Sequence, residues 1–250
     1  MQSIVKPIVR SFVALGILAC LSAKPAAVGQ ARSVASELQS HPVASFGVRE
    51  SNMIDALLQL GKEQQVPIGI EYIDAAAFRS RITLHAQNST MGTLLDIITH
   101  GQGYRWLIQD GVVMVTHDGE PHGRKNLLNT RIPEFAIDKE ITLQAASLKL
   151  LGALYWALNP HSMGIVGDYP GGNPKFRVGP LRMKNATVRQ ILNRTVSQRR
   201  NGAWVVQQPP WNMDKDPSYG FWRVIEYDGN HGAKYSGLLQ VWGLGLHAQQ

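Results

Sequence analysis

Cysteine is almost missing from this sequence. Cys20 is the only one in 250 residues, and it sits in an apolar stretch near the N-terminus. Without that stretch no thiol remains, which excludes disulfides, thiol nucleophiles and cysteine-based metal sites from the rest of the chain. Long hydrophobic runs are lacking as well: Phe12 to Leu21 falls short of the roughly 20 apolar residues that span a bilayer as a helix. There is no basic stripe. Arg199-Arg200 is a tight basic cluster of only two residues, whereas nucleic-acid recognition shows a basic face or a known motif, so no nucleic-acid partner is expected. Gly-x-Ser-x-Gly elbows, phosphate loops and dinucleotide fingerprints are also absent. The segment Tyr169 to Pro174 is rich in glycine but has neither the lysine nor the following helix of a phosphate loop. The expectation is a non-enzymatic protein without catalytic residues, cofactor or metal.

What is present at the N-terminus has the layout of an export signal. Lys6 and Arg10 precede the apolar run, and the small residues Ala23, Ala26 and Ala27 follow it. Residues 1–27 are therefore expected to be a signal peptide, cleaved after Ala23 or Ala27. Ile17-Leu18-Ala19-Cys20 also loosely resembles a bacterial lipobox. On that alternative Cys20 would be lipidated and would anchor the protein to a membrane; otherwise it is one more apolar residue of the signal. The formal charge is +7, and removing Lys6, Arg10 and Lys24 leaves 22 bases against 18 acids, a mild +4.

The most informative feature is an internal repeat. Leu84 to Asp96 aligns without a gap on Leu181 to Asn193, an offset of 97 residues. In both copies an apolar strand runs into Asn-(Ser/Ala)-Thr, then an amphipathic helix, then a Trp-bearing strand, as in duplicated scaffold units. The fold expected is α+β, with two repeated β-α-β / β-α-β-β units whose small mixed sheets are covered by helices.

Residues 28–42 are small and polar and are expected to form a flexible tether. The first unit spans 43–116. Phe46 and Val48 alternate with small or polar neighbours as in a strand, and Ser51 is expected to cap a helix from Asn52 to about Gln64. Val66 to Ile70 reads as a strand whose proline marks its first residue or a sheet edge. Ile82, Leu84 and Ala86 alternate as another strand. Thr90 caps a helix from Met91 to His100, ended by Gly101 and Gly103. Asp110-Gly111 between Tyr104–Gln109 and Val112–Val115 signals a tight hairpin.

Residues 117–131 are expected to be a linker and 132–227 the second, diverged unit. Its elements are strands at Ile132–Ile137, Met163–Val166, Phe176–Met183 and Ala203–Val206, a helix from about Thr142 to Leu158, and a second helix opened by Thr187. A longer loop from Pro209 to Gly220 precedes a last strand, Phe221 to Tyr227. Residues 228–250 form a tail, whose apolar run Leu238 to Leu246 either adds an edge strand or covers the sheet.

The eight histidines are dispersed. His117 and His122, with Asp118 and Glu120, form a metal-like cluster, but it falls in the expected linker, where no scaffold would fix a coordination geometry. Asp96 and Asn193 hold equivalent helix positions and are expected on exposed surface. Trp106 and Trp204 are expected in the core, and Trp222 is expected to be buried. Trp211 and Tyr219, in the long loop, are the candidate binding residues, since exposed aromatics can anchor a protein partner or stack on a glycan; equally, Trp211 can fold back over the sheet.

The first unit resembles the short N-terminal domain of bacterial secretins and TonB-dependent receptors. The resemblance rests on Ala56 to Gly61, Val66 to Ile70, Ile82-Thr83-Leu84 with Asn88-Ser89-Thr90, Leu94 to Ile98, Tyr104-Arg105-Trp106 and Asp110 to Val113. It covers about residues 43–116; the second unit shares it mainly from Leu181 to Val206. It implies an envelope-facing module, periplasmic or secreted, that works by contacting another protein. In relatives the module precedes an outer-membrane barrel or a secretin ring. No barrel pattern follows here, so the expectation is a freestanding protein that binds an envelope protein partner. The alternative is a carbohydrate- or peptidoglycan-binding protein using Trp211 and Tyr219.

Overall fold

Both halves of the chain begin with a helical turn that feeds an antiparallel strand ladder. The computed structural model describes residues 36–73, 77, 79–118, 126–158, 177–198, 202–207, 221–223 and 238–240, and the two turns are residues 36–40 and Leu127–Asn129. β1 (Pro42–Ser51) follows the first turn and β6 (Arg131–Ile137) the second. Val43, Phe46 and Val48 are buried on β1, and Ile132, Phe135 and Ile137 on β6, in the same spacing. β1 pairs with β3 (Ile82–Thr90), Phe46 opposite Ala86, while β6 pairs with β9 (Leu181–Thr187), Phe135 opposite Met183. Each ladder closes alike: Met91 N–H donates to His41 O at 2.9 Å, and Val188 N–H donates to Thr130 O at 3.0 Å.

The helices start where short polar side chains satisfy their first amides. In α1 (Met53–Glu63) the cap is Asn52, one residue beyond the expected Ser51, which belongs to β1; Asn52 Oδ1 accepts from Asp55 N–H at 2.9 Å. Thr90 caps α2 (Met91–Thr99) as expected, accepting from Thr93 N–H at 3.2 Å. Thr187 caps α4 (Val188–Ser197) with a full capping box to Gln190. Two residues before each threonine, Asn88 (φ 50°) and Asn185 (φ 48°) adopt the left-handed conformation that asparagine tolerates best among residues with a side chain. The hairpin of β4 (Tyr104–Gln109) and β5 (Val112–His117) turns on Asp110 (φ 54°) and Gly111 (φ 76°), so both central residues have the required positive φ.

In the second half, β7 (Ile141–Thr142) leads into α3 (Leu143–Leu158) and pairs with β8 (Arg177–Val178). The continuous strand expected from Phe176 to Met183 is two strands, β8 and β9. Between them Gly179 (φ 105°) leaves the extended region, and Pro180, after a cis peptide bond, has no N–H for a ladder. The expected strand Met163–Val166 lies outside the described residues.

The two units pool their strands. One six-stranded mixed sheet has the order β12-β11-β10-β2-β5-β4, where β2 is Ile68–Ile73, β10 Ala203–Gln207, β11 Phe221–Arg223 and β12 Leu238–Gln240. β2 lies between β5 and β10 and is parallel to both, with Ile68 opposite Val113 on one side and Ala203 on the other. Of the two roles expected for the proline, strand start holds: Pro67 immediately precedes an interior strand, and its carbonyl accepts from Val113 N–H at 3.0 Å. Of the two roles expected for the apolar tail, Leu238–Gln240 takes the edge strand.

The middle of this sheet, β10, β2 and β5, is a partition with buried residues on both faces, and residues Val112 to Thr116 of β5 are buried without alternation. Ile68, Ile70, Val113, Val115, Ala203 and Val205 face the core of the first unit, with α1 and α2. Val112, Met114, Trp204 and Val206 face the core of the second, with α3 and α4. The chain is thus an α+β protein with small mixed sheets covered by helices. Leu38, in the first helical turn, packs on the first core, so folded structure begins before Val43. Among the described residues no helix is long and apolar enough to cross a membrane.

Candidate interaction site

Three polar arrangements decide how the shared sheet is held and which part of it stays open. The first surrounds Trp204. Its indole lies against Gly69, its cross-strand neighbour on β2; a Cβ at Gly69 would meet ring atoms at 2.5–2.8 Å, so only glycine fits. Trp204 Nε1 donates to Asn193 Oδ1 at 2.9 Å. Asn193, expected on exposed surface, is fully buried on α4, and its amide reaches back to the hairpin of the first unit, 3.4 Å from Asp110 Oδ2. The turn packed above this helix, from the other unit, is what removes Asn193 from water.

The second arrangement is an ion pair between units. Glu71 on β2 is fully buried, and Arg189 on α4 is 14% exposed. Arg189 donates through Nε to Glu71 Oε1 and through Nη2 to Glu71 Oε2 at 2.9 Å, while Nη1 donates to Asn129 Oδ1 at 2.6 Å. This two-pronged geometry fixes orientation as well as charge. Buried pairs add little net stability over apolar packing, but a buried carboxylate without its arginine is costly. The pair therefore fixes how the units dock.

The third arrangement is the counterpart of the first at the sheet's far end. Trp106 Nε1 donates to Asp96 Oδ1 at 2.7 Å. Asp96 and Asn193 are equivalent in the repeat, so each copy ties its strand tryptophan to its second helix. Here, however, Trp106 is only half-buried rather than in the core, and Asp96 is exposed.

Trp106 belongs to β4, the last strand of the sheet, and among the described residues none pairs with its outer side. Asp118 N–H donates to Gly103 O at 2.9 Å just beyond the β4–β5 ladder. Antiparallel residues alternate between bonding inward and pointing outward, so Arg105, Leu107 and Gln109 bond β5, and the backbone groups of Trp106 and Ile108 face the open edge. Beside this edge lies an open groove of about 560 Å³, lined by Gln39, Asp96, Thr99, His100, Trp106 and Leu107 among others. Leu107 is 43% exposed, and Ile97 on α2 is 47% exposed. Leu107 interrupts an otherwise polar strand face between Arg105 and Gln109, whereas Ile97 lies on the helix that covers the opposite face of the sheet and does not line the groove. That break in patterning is the sequence signal that marks this surface. An unpaired strand edge with apolar side chains is a template for another strand.

The aromatics expected to bind, Trp211 and Tyr219, lie outside the described residues, as does the side chain of Trp222. His117 closes β5 instead of opening a linker, with its ring edge-on to Tyr104 at 4.8 Å, and Asp118 pairs with Arg105 at 3.6 Å. His122 and Glu120 lie outside the described residues, and among those described no three His, Cys, Asp or Glu side chains are grouped to hold a metal ion. A comparison with protein-family models, curated proteins and solved structures finds no match to this chain.

Proposed function

We propose that this is an exported, non-enzymatic protein that binds an envelope protein partner by adding a strand to the β4 edge. The observation that carries the reading is the outward-facing backbone of Trp106 and Ile108 beside exposed Leu107. Main-chain hydrogen bonds along such an edge supply affinity, and the side chains next to it supply selectivity. The resemblance to the secretin and TonB short N-terminal domain supports the same role, a module that acts by contact, and the basic, apolar and small residues of 1–27 support export. The test is capture from an envelope extract of the host with the tagged protein, compared with a Leu107→Lys variant. Loss of one stoichiometric protein in the variant is the expected result. Equal recovery by both forms would remove the β4 edge from the reading.

A glycan-binding reading has one observation in its favour. Trp156 on α3 is 45% exposed, with Tyr155 edge-on at 5.8 Å. Retention on a glycan array that Trp156→Ala abolishes would favour it.

A further inference from the structure

We infer that the envelope protein bound at the β4 edge is itself a β-α-β unit, docking there as the first unit docks on the second. It presents a strand parallel to β4, with a glycine opposite Trp106 and an apolar residue on either side of that glycine. The inference rests on the proposed function and names the kind of partner.

The template is the joint inside the chain. Trp106 and Trp204 are equivalent, since each donates to the matching side chain of its second helix, Asp96 or Asn193. β4 and β10 are therefore the same strand of the two units. Each pairs antiparallel on one side with the next strand of its unit, β5 or β11. On the other side β4 is open among the described residues, whereas β10 carries β2 in parallel. One bond of that joint, Ile68 N–H to Gly202 O at 3.1 Å, falls two residues before Trp204. The backbone groups that β10 turns to β2 are thus in phase with Trp204, and those that β4 turns outward are in phase with Trp106.

The side chains repeat the same relation. Val205, next after Trp204, is 2% exposed because it joins Ile68 and Ile70 in the core of the first unit. Leu107, next after Trp106, lies opposite Met114 on the matching face and has no such cover. Trp204 is closed off by the glycine its ring lies on, Gly69, while Trp106 is half-buried. Leu107 and Trp106 are therefore the uncovered counterparts of two residues that the internal joint buries. The two units lay their helices on opposite faces of the sheet. A further unit that continues this alternation sets its helices over Leu107, away from α2.

A second copy does not supply the strand. Its β2 is enclosed between β5 and β10, and its β12, at the far end of the row, runs antiparallel to β11. The joint is head-to-tail, between unlike surfaces, so the partner is a different protein.

The test offers a peptide of residues 66–73, Val-Pro-Ile-Gly-Ile-Glu-Tyr-Ile, to the full chain carrying Cys20→Ser. In β10, Gln207 faces Ile73, so its counterpart Gln109 should face the same end of the peptide. Gln109→Cys is expected to form a disulfide with an Ile73→Cys peptide and not with a Val66→Cys peptide, whose cysteine lies seven residues, roughly 23 Å, away. A Gly69→Val change in the peptide should cut cross-linking at least about tenfold, because the added side chain meets the Trp106 ring. The protein lost on capture with Leu107→Lys is expected to carry an apolar-Gly-apolar strand after a helix, and to lose binding when that glycine becomes alanine. Cross-linking at Val66→Cys, none above the Gly69→Val level, or a captured protein without such a strand overturns the inference. Self-association that Leu107→Lys abolishes overturns it too. In each case, loss of an envelope protein with Leu107→Lys leaves the proposed function standing, and unchanged capture removes both.

Discussion

The pairs Asp96–Trp106 and Asn193–Trp204 are the same device placed in opposite surroundings. In the first unit the acceptor is an exposed carboxylate and the tryptophan is half in water. In the second, the acceptor is a fully buried amide and the tryptophan is 1% exposed against Gly69. Burial changed the chemistry that the position allows. A carboxylate can stay charged at the surface, whereas beneath the hairpin turn of the other unit, 3.4 Å from Asp110, only a neutral acceptor avoids an uncompensated charge. The amide also supplies a donor, which lets Asn193 bridge the units.

Substitutions that treat the two copies alike should therefore separate them. The largest separation is expected from the tryptophans. Trp204→Ala empties a packed site and should cost about 3–5 kcal/mol, while Trp106→Ala should cost only about 1–2 kcal/mol; urea denaturation of the two variants measures both, and equal costs would break the comparison. Exchanging the acceptors sharpens it. Asn193→Asp should destabilise by about 3 kcal/mol at neutral pH, because burial raises the pKa of the new carboxyl above its unfolded value near 3.9. With the folded-state pKa raised, the deficit is complete above that pKa and disappears below the unfolded value, so the loss should shrink as the pH is lowered toward about 4. The reciprocal Asp96→Asn should change stability by no more than about 0.5 kcal/mol. The smallest contrast is a control in which the copies should agree: Asn88→Ala and Asn185→Ala each put alanine at a positive φ and should each cost about 1 kcal/mol. Differential scanning calorimetry of the two variants would show whether the copies share that geometry energetically.

Local features of this fold were readable from local sequence. Thr90 and Thr187 cap helices because a threonine before an amphipathic run satisfies free amides, and Asp110-Gly111 turns a hairpin because both residues accept positive φ. These facts need only neighbouring residues. What escaped depends on distant ones. The repeat in the opening strands, Val43, Phe46 and Val48 against Ile132, Phe135 and Ile137, is shifted by 89 rather than 97 residues, so it is hidden behind a length change between the opening strand and the repeated strand. Glycine 69 reads as an ordinary strand residue until Trp204 is placed on it. Asn193 reads as surface because its pattern matches Asp96, and only the other unit's turn buries it. For the binding surface, the misplaced apolar residue Leu107 was visible in the sequence, but the open strand edge that gives it meaning was not. Trp211 and Tyr219 drew the reading toward a loop instead.

The position of β10 beside β2 has a consequence for how the molecule is made. Synthesis runs from the N-terminus, so β2 is complete long before Ala203–Gln207 exists to cover its second flank. Until then the first unit has Glu71 without Arg189, Gly69 without its indole, and an exposed parallel edge. A nascent first unit should therefore need the last strands of the chain, or a chaperone standing in for them, to become resistant to proteolysis. The sequence repeat and the cooperative folding unit are consequently different objects: cutting the chain at the boundary of the repeat would separate neither half in a state that can hold itself together.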